Sequence, residues 1–117
     1  TDLRAPPSFS ALCLAPLVAG FRAAQGEILI SLNNDTEAHP RFVEALTDAL
    51  AEHPEAGMAA AKMLLFDRRD HIHSAGDGYG VDGIPFNLGV WQRDEGQFDT
   101  EDYVFSACGG SAAYRQT

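Results

Sequence analysis

Apolar positions along the chain fall into blocks with different periods. Leu14, Leu17, Val18 and Phe21 recur at helical spacing and predict a helix from Ser10 to about Gln25, started or kinked at Pro16 and stopped by Gly26. The run Ile28-Leu29-Ile30-Ser31-Leu32 follows the turn residues Gln25-Gly26-Glu27 and breaks off in Asn33-Asn34-Asp35-Thr36-Glu37. A short Ile- and Leu-rich run of this kind predicts a buried strand over Glu27–Leu32, of the parallel type covered on both faces. His39-Pro40 opens the clearest helix. Phe42, Val43, Leu46, Ala49 and Leu50 form its apolar stripe, Glu44, Asp48 and Glu52 its solvated face, and His53-Pro54-Glu55 its end. Gly57 to Phe66 suits strand or helix by composition; its position after a strand–helix pair favours a second parallel strand, although its alanines weaken the pattern.

Beyond Phe66 the texture changes. Asp67-Arg68-Arg69-Asp70, Asp77-Gly78-Tyr79-Gly80 and Val81-Asp82-Gly83 are turn-rich, and the segments between them suit hairpins or a meander. Pro85 to Trp91 and Glu95 to Asp99 read as irregular loop anchored by a few aromatics. Tyr103 to Cys108 predicts a strand running into Gly109-Gly110, and Ser111 to Arg115 continues it. The expected whole is one α/β layer with a parallel-type sheet flanked by helices, joined to a region of short strands and loops.

Size and charge narrow the function. The chain has 117 residues, enough for a single core, with 45% hydrophobic residues and a formal charge of -9. That charge argues against a nucleic-acid backbone or an anionic membrane as the main partner, but not against a nucleotide accompanied by a divalent cation. Cys13 and Cys108 are far apart and form no metal-binding spacing. No apolar run reaches membrane-spanning length, and no basic segment leads into one as in a signal peptide.

Several polar clusters are candidates for chemistry. Asn33-Asn34-Asp35 lies where a strand leaves its sheet, which is where α/β folds bind ligands; the same residues also suit an ordinary turn. One carboxylate meets the minimum that Mg²⁺ or Mn²⁺ requires when phosphate and water supply the rest. His71 and His73 share one side of a strand, and a solvated hairpin is their commoner reading over a metal pair. Cys108 reads first as a small buried thiol, and Gly109-Gly110 as either a close ligand approach or a turn. Trp91 and Phe86 read as core anchors before a sugar-stacking surface.

Taken together the segments resemble family 2 glycosyltransferases, in particular the rhamnosyltransferase-like branch. Ala24-Gln25-Gly26-Glu27 is similar to the family's A-x-G-E turn, and Leu32-Asn33-Asn34-Asp35-Thr36-Glu37 to the L-N-N-D-T-E segment that holds its DxD-like motif. Pro40 to Leu50 and His53 to Gly57 resemble the following helix and its exit. Asn87-Leu88-Gly89 and Gly96-Gln97-Phe98-Asp99 are similar to the branch's N-x-G and G-Q-[FY]-D loops, and Val104 to Arg115 to its acceptor-side V-F-G-A-C-G-G-A-A-L-Y-R strand. The resemblance implies a GT-A, Rossmann-like fold and sugar transfer from a nucleotide diphosphate to an acceptor hydroxyl. It implies Asp35 as ligand of Mg²⁺ or Mn²⁺, with Asn33, Asn34, Gly109 and Gly110 on the donor and acceptor side.

The same comparison marks departures. Val18 stands where the family has an asparagine, the family's nucleotide-base unit precedes the matched segment, and its catalytic base lies beyond the position of Thr117. The expectation is therefore a single partial domain over residues 1–117, with sugar transfer belonging to a longer protein; the other reading is a degenerate, non-catalytic binding module. Further expectations are a cytoplasmic location facing the inner membrane, where lipid-linked acceptors lie, and a homodimer sealing an exposed sheet edge.

Overall fold

The computed structural model describes residues 19–116. Most of the helix expected over Ser10–Gln25 lies outside them, as does Cys13; residues 19–23 are helical. The described elements run β1 (Ile28–Leu32), α1 (Phe42–Glu52), β2 (Met58–Ala60), β3 (Met63–Leu65), β4 (Arg68–Ser74), β5 (Asp77–Tyr79), β6 (Pro85–Asn87) and β7 (Ser111–Arg115).

The helical period of the second block is realised in α1. Leu46 and Leu50 are buried and meet Ala113, with Ile28, Ile30, Phe42 and Ala59 packed around them. Glu44, Asp48 and Glu52 are exposed, as the pattern requires. Val43, counted in the apolar stripe, instead faces outward at 57% exposure. The helix opens two residues after Pro40, from a turn in which the Phe42 N–H donates to the His39 carbonyl.

The sheet differs from expectation. β1, β7 and β2 form one three-stranded sheet in the order β1-β7-β2, and β7 is antiparallel to both neighbours. β1 and β2 run in the same sense, as a strand–helix–strand crossover demands, but β7 separates them, so no parallel pair forms among the described residues. An unalternated apolar run does not report the direction of the neighbouring strand, and β1, expected as buried, is a half-buried edge strand with Leu32 44% exposed. Small side chains let the late strand take the central place: Ala112 and Ala113 are both fully buried.

Gly57–Phe66 is likewise two strands rather than one. Lys62 lies in the break between them, and its ammonium binds Asp94 at 2.9 Å and Asp99 at 2.6 Å. β3 leaves the main sheet and pairs with β4 across a tight turn at Phe66-Asp67. β5 and β6 form a second hairpin, so Pro85–Asn87, expected as loop, is strand. Conversely Tyr103–Cys108, expected as strand, contributes only the bridge between Ser106 and Asp77. Tyr103 and Phe105 stand 70% and 69% exposed, so the apolar alternation there does not mark a buried strand.

Trp91 and Phe86, expected as core anchors, lie at the surface. Trp91 is 77% and Phe86 50% exposed. Trp91 has a φ of 66° and gives its backbone N–H to the Ile72 carbonyl at 2.7 Å, which fixes its main chain against β4 while its ring points outward. The aromatic that packs inward there is Phe98. Gly89 has a φ of 70°, and a Cβ on it would lie 2.5 Å from the Phe98 ring and 3.3 Å from Ile72 Cδ1. The Asn87-Leu88-Gly89 and Gly96-Gln97-Phe98 loops thus close on one another over the fully buried Ile72. Gly89→Ala should lower stability by about 1–2 kcal/mol through overpacking and a disfavoured φ. Urea unfolding checks this, and an unchanged midpoint would contradict it.

Candidate functional site

β1 ends at Leu32, which pairs with Ser111 at the start of β7. In an antiparallel pair, the residue following one strand's end meets the residue preceding the other's start. Asn33 therefore meets Gly110: the Asn33 N–H donates to the Gly110 carbonyl at 3.0 Å. The contact is close, since a Cβ on Gly110 would lie 3.1 Å from Asn33 Nδ2 and 3.5 Å from Met63 Cε. The Ser31 hydroxyl donates to the Gly109 carbonyl at 3.1 Å, which holds the glycine turn from the strand side. Sequence reasoning passed over Ser31, although a lone hydroxyl inside an Ile/Leu run was a signal for it.

Asn34 and Asp35 occupy an exposed turn directly beyond Asn33. The Thr36 hydroxyl donates to the Asn33 carbonyl at 2.6 Å and closes that turn. The turn reading and the ligand reading of this segment are compatible: turn chemistry fixes the backbone and leaves the Asp35 carboxylate toward solvent. Asn33 and Gly110 are thus in contact, with Gly109 beside them and Asn34 and Asp35 on the adjoining turn.

The donor set can be weighed against a hard cation. It offers one carboxylate and two amide oxygens, and no group of three His, Cys, Asp or Glu among the described residues could hold a metal. A self-sufficient protein cage is therefore not present. The set suits Mg²⁺ or Mn²⁺ shared with a diphosphate, because such ions keep water and phosphate ligands and need few carboxylates. His71 and His73 do not add to it; the His71 ring bonds Asp70 at 2.9 Å and His73 is exposed. Cys108 is half-buried ahead of the glycine turn.

A separate cleft of about 560 Å³ lies between the end of α1, β2 and residues 98–105. Its floor includes Leu50, Met58 and Val104, and none of Asn33, Asn34, Asp35, Gly109 or Gly110 lines it. His53 closes one side. Its Nε2 meets Glu101 at 3.1 Å and its Nδ1 meets Glu55 at 3.3 Å, while the Tyr103 hydroxyl donates to Glu55 and its ring stands edge-on to His53.

The Glu101 hydrogen bond, ahead of the contribution from Glu55, holds the His53 pKa above its ordinary value against a smaller effect of desolvation. Because the folded value is raised, the stabilisation is complete below the ordinary imidazole pKa and is lost as pH rises through the folded one. Glu55 is depressed, first by the Tyr103 hydroxyl, so its contribution is present above the ordinary carboxylate pKa and lost in acid. An NMR titration of His53 should give a pKa above about 6.5 that falls in Glu101→Gln. A value unmoved by that substitution would contradict the pairing.

The described elements define an α/β domain in which Asn33, at the end of β1, meets a diglycine turn, and an exposed turn carrying Asn34 and Asp35 follows. The sequence model of Glycosyl transferase family 2 matches residues 15–117, and the chain belongs to that family. Membership implies the GT-A fold of nucleotide-sugar transferases and points to glycosyltransferase activity. Comparison with curated proteins and with solved structures gave no match. No helix among the described residues is long and apolar enough to cross a membrane.

Proposed function

We propose that this chain carries the donor-diphosphate site of a glycosyltransferase of the rhamnosyltransferase-like branch, acting in cell-surface polysaccharide or glycan synthesis. The donor is a nucleotide-diphosphate sugar and the acceptor a hydroxyl of a glycan or lipid-linked saccharide. The observation that carries this reading is the contact of Asn33 with Gly110 beside the exposed Asp35 turn. It gathers at one place the two segments through which the family resemblance assigns the donor and acceptor side.

In the reaction the bond from the sugar's anomeric carbon to the diphosphate oxygen breaks, and a bond from that carbon to the acceptor oxygen forms. The acceptor hydroxyl loses its proton, and the diphosphate leaves with the bonding pair. Asp35, with the amide oxygens of Asn33 and Asn34, would hold Mg²⁺ or Mn²⁺. When bound, such a cation offsets the negative charge that builds on the leaving diphosphate. Gly110 keeps the backbone beside Asn33 free of a side chain. None of the described residues is assigned the base that takes the acceptor proton.

Calorimetric titration of UDP and dTDP, with and without Mn²⁺, tests the reading. Binding that requires the cation is expected. No heat at millimolar ligand in the presence of Mn²⁺ would overturn it and favour a non-catalytic module.

A further inference from the structure

Asp35 lies on the connection between β1 and α1, and that connection is held at both of its ends. At the start, Asn33 is bonded to Gly110. At the end, the Arg41 N–H donates to His39 Nδ1 and the Phe42 N–H to the His39 carbonyl. Between these, among the described residues, lies a long-range tie. Arg69 of β4 presents its guanidinium edge-on to Glu37, with Nη1 3.2 Å from Oε1 and Nη2 3.0 Å from Oε2. The guanidinium in turn stands 5.0 Å above the centre of the Phe66 ring, at the turn that joins β3 to β4.

We infer that the Glu37–Arg69 pair is a positioning device for Asp35, locking the turn that carries it to the β3–β4 hairpin. The inference rests on the donor-site reading above and extends it to two residues that neither touch the diglycine turn nor offer a free ligand. A paired fork has direction as well as strength: both hydrogen bonds form only when the two planes are aligned, and a lysine cannot reproduce this. The ring of Phe66 limits the guanidinium from the side away from Glu37. Glu37 is two residues from Asp35, so a rigid Glu37 leaves the carboxylate little backbone freedom. The pair is exposed, at 60% for Arg69 and 63% for Glu37, so it adds little to global stability and its effect is local.

Three variants separate positioning from charge. Glu37→Gln removes a negative charge near Asp35, and Arg69→Ala removes a positive one. Simple electrostatics would shift Mn²⁺-dependent UDP binding in opposite directions in the two. Positioning weakens it in both, by about threefold, within what an exposed pair can supply, with the thermal midpoint little changed. The exchanged pair, Glu37→Arg with Arg69→Glu, restores the fork but takes the guanidinium off the Phe66 ring, and should recover part of the affinity. Without ligand, ¹⁵N relaxation order parameters at residues 34–36 should fall in both single variants and return toward wild type in the exchanged pair.

Opposite effects of the two single variants on affinity, or order parameters at residues 34–36 equal to wild type, would overturn the inference. If the wild-type protein itself binds no UDP, the donor-site reading fails instead, and the order parameters alone still decide whether the pair fixes the turn.

Discussion

Asp35→Ala should abolish Mn²⁺-dependent binding of UDP, a loss of a hundredfold or more in order of magnitude. The expectation follows from the poverty of the donor set. Asn33 and Asn34 are neutral, Glu37 is engaged with Arg69, and no other cluster of ligating side chains exists among the described residues. A site that relies on one carboxylate has no substitute when it is removed. Because Asp35 is exposed, the variant should unfold at nearly the wild-type temperature. Asp35→Asn should lose nearly as much, since charge rather than shape is what the cation requires. Retained Mn²⁺-dependent binding in Asp35→Ala would remove Asp35 from the site.

Arg115→Ala should cost about 2–3 kcal/mol of stability, read by urea unfolding. Arg115 closes β7, and its guanidinium donates to the Leu50 carbonyl at 2.6 Å, the His53 carbonyl at 3.4 Å and the Ala56 carbonyl at 3.2 Å. Leu50 and His53 are at the end of α1, where carbonyls lack partners within the helix and the helix dipole favours a cation. α1 has no basic residue in its own last turn, so the cation comes from a distant strand. Removing it would leave partly buried carbonyls short of a donor and loosen α1 from β7. Since β7 also pairs with β1 next to Asn33, the same substitution should weaken UDP binding severalfold. A loss below about 0.5 kcal/mol would show that water replaces the guanidinium freely.

Much of this arrangement was legible along the chain. β1 and its polar end could be read because a short Ile/Leu run and its turn residues are adjacent. α1 could be read from the spacing of Phe42, Leu46, Ala49 and Leu50. Strand direction could not, because the side chains of Ile28–Leu32 record only that both faces are partly covered. That limit hid the most useful fact about the site: antiparallel pairing of Leu32 with Ser111 is what joins Asn33 to Gly110. The family resemblance had put both residues on the donor and acceptor side without showing how they meet. Ties between distant segments, such as Glu37 to Arg69, Lys62 to Asp94 and Asp99, and Arg115 to the end of α1, leave no periodic trace and were missed. Trp91 misled because aromatic bulk suggests burial, while its backbone φ and its bond to Ile72 are set by the turn after Gly89.

In the proposed site the cation and the diphosphate meet at the Asp35 turn and the diglycine. Paramagnetic broadening by Mn²⁺ in the presence of UDP, read on the backbone amides of ¹⁵N-labelled protein, tests it most directly. Selective loss of signal is expected at residues 33–36 and at Gly109 and Gly110, with the amides around the His53–Tyr103 cleft least affected. Broadening centred on that cleft, or spread evenly over the acidic surface, would contradict it.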